Sequence, residues 1–195
     1  MNDNSLRNSE LKIITDDVFL KKKEIILQKI IKCFNNISIE LKKEFSINSI
    51  NNYWDFNLAP KISRGEKYNE LPYIVLDYPS YFKKEDICSF RIIFLWANQF
   101  SCNLVLKGKP LIEFEKKIKK KYIFFKNEGY VLNYNKSPWV HEVENLDPNS
   151  SDLMNYSFRS KNAYLKISKS LPLNNLIELQ QISKNMLKDI ITVMF

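Results

Sequence analysis

From Cys88 to Trp96 the chain reads CSFRIIFLW. In an extended strand Cys88, Phe90, Ile92, Phe94 and Trp96 point one way, and Ser89, Arg91, Ile93 and Leu95 the other, so both faces are largely apolar. A strand in the middle of a sheet, covered on both sides, satisfies that pattern. It also puts Arg91 where a buried guanidinium needs a partner. The following segment, Phe100 to Lys107, alternates Phe100, Cys102, Leu104 and Leu106 with the wetter set Ser101, Asn103, Val105 and Lys107. With Ala97-Asn98-Gln99 between them, the two segments read as an antiparallel pair, and Gly108 and Pro110 mark its end.

Further strands are expected at Leu71 to Tyr78, between Pro72 and Pro79, and at Ala163 to Leu171. Tyr122 to Lys126 and Tyr130 to Tyr134 flank Asn127-Glu128-Gly129 and read as a hairpin, and Pro138 to Val143 as a short strand. Helical spacing appears three times. After the N-cap candidates Thr15, Asp16 and Asp17, the series Ile26, Ile30, Phe34, Ile37, Leu41 and Phe45 marks a long amphipathic helix, with lysines on its other face. Leu111 to Lys121 reads as a short basic helix, and Asn174 as the cap of a closing helix with stripe Leu176, Leu179, Ile182, Met186, Ile190 and Met194. Like elements in runs, joined by tight turns, predict an α+β fold: a single antiparallel sheet of about five to seven strands packed against long N- and C-terminal helices. Residues 1–15 are expected to be a flexible segment, and 16–195 one domain.

Composition limits the chemistry. With one histidine and three glycines, the chain lacks two-histidine metal sites and has little material for a phosphate-cradling glycine loop. No metal, cofactor or catalytic residue is assigned, and the chain reads as more suited to binding than to catalysis. Cys33, Cys88 and Cys102 are odd in number, widely spaced and set in apolar patterns, as reduced core thiols are. No run of eighteen apolar residues and no secretory signal pattern occurs, so no membrane association and a cytoplasmic location are expected. The formal charge of +8 admits nucleic acid as a partner through the helix lysines and the run Lys116 to Lys121. The joint abundance of lysine, asparagine and isoleucine is, however, what an AT-rich coding sequence produces.

That lysine bias draws attention to the four arginines, Arg7, Arg64, Arg91 and Arg159, because only a guanidinium offers a planar fork to a carboxylate or phosphate. The segment PKISRGEKYNELPYIVLDYPSYF, from Pro60 to Phe82, gathers Lys61, Arg64 and Glu66 around Gly65 in what reads as an anion-presenting turn, followed by a strand ending at Asp77. Asp77 is expected to accept backbone N–H groups from the turn at Pro79. Among the aromatics, Trp139, after Pro138 and near His141, is expected to be accessible and Trp96 to be core. The segments ISRGE (Ile62 to Glu66), LPY (Leu71 to Tyr73), DYP (Asp77 to Pro79) and F-x-W (Phe94 to Trp96) resemble those of an uncharacterised family of bacterial cytosolic proteins of unknown function. The resemblance covers Ile62 to Trp96, implies a coherent fold, and brings no activity with it.

These readings nominate Lys61, Arg64, Glu66, Asp77, Arg91, Trp139 and His141 as ligand-binding residues. The function expected is non-enzymatic binding or adaptor work, recognising a protein partner or an acidic ligand through a basic, aromatic surface. The alternatives are a small-molecule pocket or enzyme site around Arg64, Arg91, Trp139 and His141, and a nucleic-acid-binding protein.

Overall fold

The computed structural model describes residues 5–47, 59–134, 137–143 and 150–194. Residues 48–58, with Trp54 among them, and 144–149 lie outside them. Two helices open the chain, α1 (Asn8–Ile14) and α2 (Asp17–Ile47). Part of the stretch read as flexible is thus helical, although α1 buries no residue. In α2 the buried stripe is Leu27, Ile30, Phe34, Ile37, Leu41 and Phe45, each at most 3% exposed, while Ile26 stays outside it. Each such large apolar side chain contributes roughly 1.5–3 kcal/mol on burial.

One antiparallel sheet follows, built from β1 (Lys61–Tyr68), β2 (Leu71–Phe82), β3 (Ile87–Leu95), β4 (Gln99–Lys107), β5 (Val131–Asn133) and β6 (Tyr164–Leu171), in the order β1-β2-β3-β4-β6-β5. The α+β reading and the central position of the Cys88–Trp96 strand both hold. Between the strands lie α3 (Lys109–Lys120), α4 (Tyr122–Asn127) and α5 (Ser150–Asn155), and α6 (Leu179–Met194) closes the chain. The helices α2, α3 and α6 pack on the face made by Ile74, Leu76, Phe90, Ile92, Cys102, Leu104 and Ile167.

Several local expectations are corrected. The glycine-containing stretch from Lys61 to Tyr68 is a strand, not a turn. The reversal comes at Asn69-Glu70, both with positive φ (49° and 62°), as a tight two-residue hairpin requires. Gly65 serves packing: a Cβ there would lie 2.2 Å from the ring of Tyr73, its cross-strand partner. The strand from Leu71 does not stop at Pro79 but runs to Phe82 through a register shift between Asp77 and Ser80.

Tyr122 to Lys126 is helical rather than extended, with Tyr122 and Phe125 buried three residues apart on one face. Gly129 (φ 74°) ends that helix instead of turning a hairpin, and the Tyr130 N–H reaches back to the Phe125 carbonyl at 2.9 Å. Pro138 to Val143 is not a strand; the Val140 N–H closes a turn on the Ser137 carbonyl at 3.2 Å. Asn174 sits in a short 3-10 turn, Leu173–Asn175, ahead of the closing helix.

Cys88 and Cys102 are buried, Cys33 is half-buried, and all three thiols are free. Burial pushes the Cys102 thiol up to about 12, which keeps it protonated and unreactive. Among the described residues no helix is long and apolar enough to cross a membrane, and no group of histidine, cysteine and carboxylate side chains is arranged to hold a metal ion.

Candidate functional site

The sheet's second face buries Val75, Ile93 and Val105 and beside them carries a row of polar side chains. Strand alternation and register place Lys61, Asp77, Arg91, Asn103 and Ser168 directly opposite one another across five strands. The row is hydrogen-bonded along most of its length. Arg91 Nε and Nη2 donate to the two oxygens of Asp77 at 2.7 and 3.0 Å, and Ser89 Oγ adds a third bond to Oδ1 at 3.2 Å. Asn103 Nδ2 donates to the Arg91 carbonyl at 3.2 Å, and Ser168 Oγ donates to Asn103 Oδ1 at 2.7 Å. Asp77 therefore does not cap the Pro79 turn. Its carboxylate is matched to the fork of Arg91 in a pair whose side chains are 5% and 11% exposed.

Residues 137–143 cross this face. Lys166 Nζ, rising from β6, donates to the Val140 carbonyl at 2.6 Å, and the His141 N–H donates to Tyr68 Oη at 2.9 Å. Tyr68 in turn donates to Glu142, whose other oxygen accepts from Asn69 Nδ2 at 2.8 Å. The imidazole of His141 stacks on Tyr68 with ring centres 4.2 Å apart, and the edge of Tyr73 meets it at 4.7 Å. Gly65 matters here, because the Tyr73 ring that braces His141 lies across the space a Cβ would fill. His141 is 8% exposed, and its Nδ1 has no hydrogen-bond partner among the described residues. Burial, and then the positive charges of Arg91 and Lys166, push His141 down to about 4. Burial likewise brings Lys166 down to about 8, with Arg91 adding to the effect.

The same segment lays Trp139 over the guanidinium of Arg91, with Cζ 4.8 Å from the ring centre. Between the polar face and this cover opens a cleft of about 610 Å³, walled by Trp139, Phe82 and Tyr164 and lined by Lys61, Lys83, Lys84 and Lys107. Among the described residues Asp77 is the only acidic one lining it, and Arg91 already holds that carboxylate. The four lysines form no ion pair among the described residues; Lys83 lies over the Tyr81 ring at 4.9 Å.

Four of the seven nominated residues, Lys61, Asp77, Arg91 and Trp139, thus line one cavity. His141 sits beside it, under the cover. Arg64 and Glu66 do not join them. Arg64 pairs in register with Ile74, on the helix-covered face, and reaches Glu24 of α2 at 3.3 Å, while Glu66 pairs with Lys23 at 3.0 Å. The anion-presenting turn around Gly65 and a pocket containing Arg64 are therefore both corrected: strand alternation sends Arg64 to the opposite side from Arg91. Trp139 is exposed, at 43%, and Trp96 packs against the core, as expected.

Lys83, Lys84, Lys107 and Lys166 are not among the residues that the sequence singles out. For Lys107 and Lys166 the signal was present, since each lies on the wetter side of its strand beside Asn103 or Ser168. Lys83 and Lys84 carry no such signal, because their place follows from the long excursion of β2 past Pro79.

Comparison with known proteins finds no match: no family model, no curated protein and no solved structure aligns significantly with the chain. The resemblance over Ile62 to Trp96 stands on its four short segments alone.

Proposed function

We propose that this protein is a non-enzymatic binding protein that takes an acidic small molecule into the cleft between the polar sheet face and residues 137–143. The observation that carries this reading is the mismatch of charge around the cavity: among the described residues, four lysines without ion pairs face a space whose one carboxylate is already held by Arg91. Ammonium groups gathered around a concave, partly apolar site favour an anion, and an aromatic wall supplies contact area. The absence of a catalytic role is supported by the same geometry. Asp77 is committed to two bonds with Arg91, and His141 is enclosed between two tyrosine rings.

Thermal denaturation tests the reading. Millimolar phosphate or citrate should raise the melting temperature relative to sodium chloride at equal ionic strength, because a ligand bound only to the native state stabilises it by mass action. The double substitution Lys61→Gln with Lys107→Gln should abolish the rise. An unchanged melting temperature with every anion would refute the proposal.

A protein partner is the second reading, favoured by an apolar groove of about 310 Å³ between α2 and the β3–β4 turn, lined by Ile26, Ile30, Phe94, Trp96, Phe100 and Leu176, with Lys29 at its edge. On the same helix Val18, Phe19, Leu20 and Ile25 are also exposed.

A further inference from the structure

Apart from Arg91, the cleft's cations are lysines supplied by three elements. Lys61 belongs to β1, Lys107 to the end of β4, and Lys83 and Lys84 to the β2–β3 connection. In the sheet order, β1 and β4 are three strand spacings apart, about 14 Å between backbones. Four ammonium groups supplied from three elements carry more positive charge than a single phosphate ion offsets. The one guanidinium in the cavity, the group best shaped for a planar carboxylate, is occupied by Asp77. What remains free is a set of compact, rotatable ammonium charges, which suit tetrahedral, multiply charged groups and impose no planar fork.

We propose that the cleft's ligand is a small molecule carrying a run of phosphoryl groups, spanned by Lys61 on one side and Lys83, Lys84 and Lys107 on the other. This rests on the anion-binding reading of the same cleft and narrows it to a chemical class. The cavity volume is within the range that encloses a ligand of that size and too small for a nucleic-acid duplex. With no glycine loop to supply backbone N–H groups, the side chains alone carry the recognition, so affinity should grow with the number of phosphoryl groups that reach them.

Calorimetric titration with orthophosphate, pyrophosphate and tripolyphosphate at fixed ionic strength tests this. Affinity is expected to climb along the series, by about tenfold or more from the first to the last, the equivalent of one added charge-assisted contact. Lys61→Gln/Lys107→Gln and Lys83→Gln/Lys84→Gln should each flatten the climb to less than about threefold, with the melting temperature without ligand confirming that both variants fold. The pair Lys116→Gln/Lys120→Gln, on exposed positions of α3, should leave it intact. Equal affinity for all three phosphates would overturn the phosphoryl-run proposal while leaving an anion site in the cleft. No binding of any of them would remove the anion reading as well. If the α3 variant weakened binding as much as the cleft variants, the interaction would belong to the general basic surface and the proposal would fail. Co-sedimentation with phosphatidylcholine vesicles containing a phosphoinositide bisphosphate would assign the phosphoryl groups to a lipid headgroup; its absence, with the series intact, would assign them to a soluble molecule.

Discussion

Asp77 and Arg91 are the residue pair on which the polar face is organised. Their side chains are nearly buried, their contact is bidentate, and neighbouring hydrogen bonds radiate from both. Removing one partner leaves the other charge buried without compensation, so Asp77→Ala is expected to destabilise the protein by about 3–5 kcal/mol in chemical denaturation. A loss below about 1 kcal/mol, the range of an exposed pair such as Arg64–Glu24, would show that solvent reaches the guanidinium freely. That Arg91 needs a partner was legible from its place in an apolar strand. That the partner is Asp77 was not, because the register pairing the two is set by the β2–β3 connection, which no single residue type announces. Arg64 shows the opposite failure. Scarcity made it conspicuous, yet its position in the strand's alternation turned it toward α2, where it makes an ordinary exposed ion pair.

At the scale of elements, the cover formed by residues 137–143 depends on the imidazole clasped between Tyr68 and Tyr73. Arg91 and Lys166 face that ring with positive charge and Glu142 with negative. Its folded value of about 4 lies below its ordinary 6.5, so the native state favours the neutral ring, and the unfolded chain takes up the proton first as pH falls. The stability contributed is complete above 6.5 and is lost progressively down to about 4. Comparing wild type with His141→Phe in denaturant titrations across that window isolates the effect: the stability difference between them should shrink or reverse in favour of the variant as pH drops. A difference independent of pH would place the imidazole in water, not under the cover. The sequence of this element suggests a strand because Trp139, Val140 and Val143 favour strands, whereas Pro138 and the bonds with Tyr68, Asn69 and Lys166 decide its path. The misreading of Tyr122 to Lys126 has a similar origin: aromatic and β-branched residues suggested a strand, and burial at helical spacing prevailed.

Across the whole molecule, one sheet separates two kinds of chemistry. The helices close an apolar core on one side, and on the other a hydrogen-bonded row of polar side chains underlies a basic, aromatic-walled cleft. The first side was readable in the sequence, because hydrophobic spacing at periods of two and of three to four residues reports burial directly. The second was readable only in fragments, as wet positions scattered over strands far apart in the chain, since their convergence follows from strand order. The most direct test of the claim that this cleft receives an anion is to follow backbone amide shifts by NMR while pyrophosphate is added at constant ionic strength. The account predicts shifts concentrated at Lys61, Lys83, Lys84, Arg91, Lys107, Ser137 and residues 139–141. Shifts centred on the lysines of α3, or none beyond those that sodium chloride produces, would contradict it.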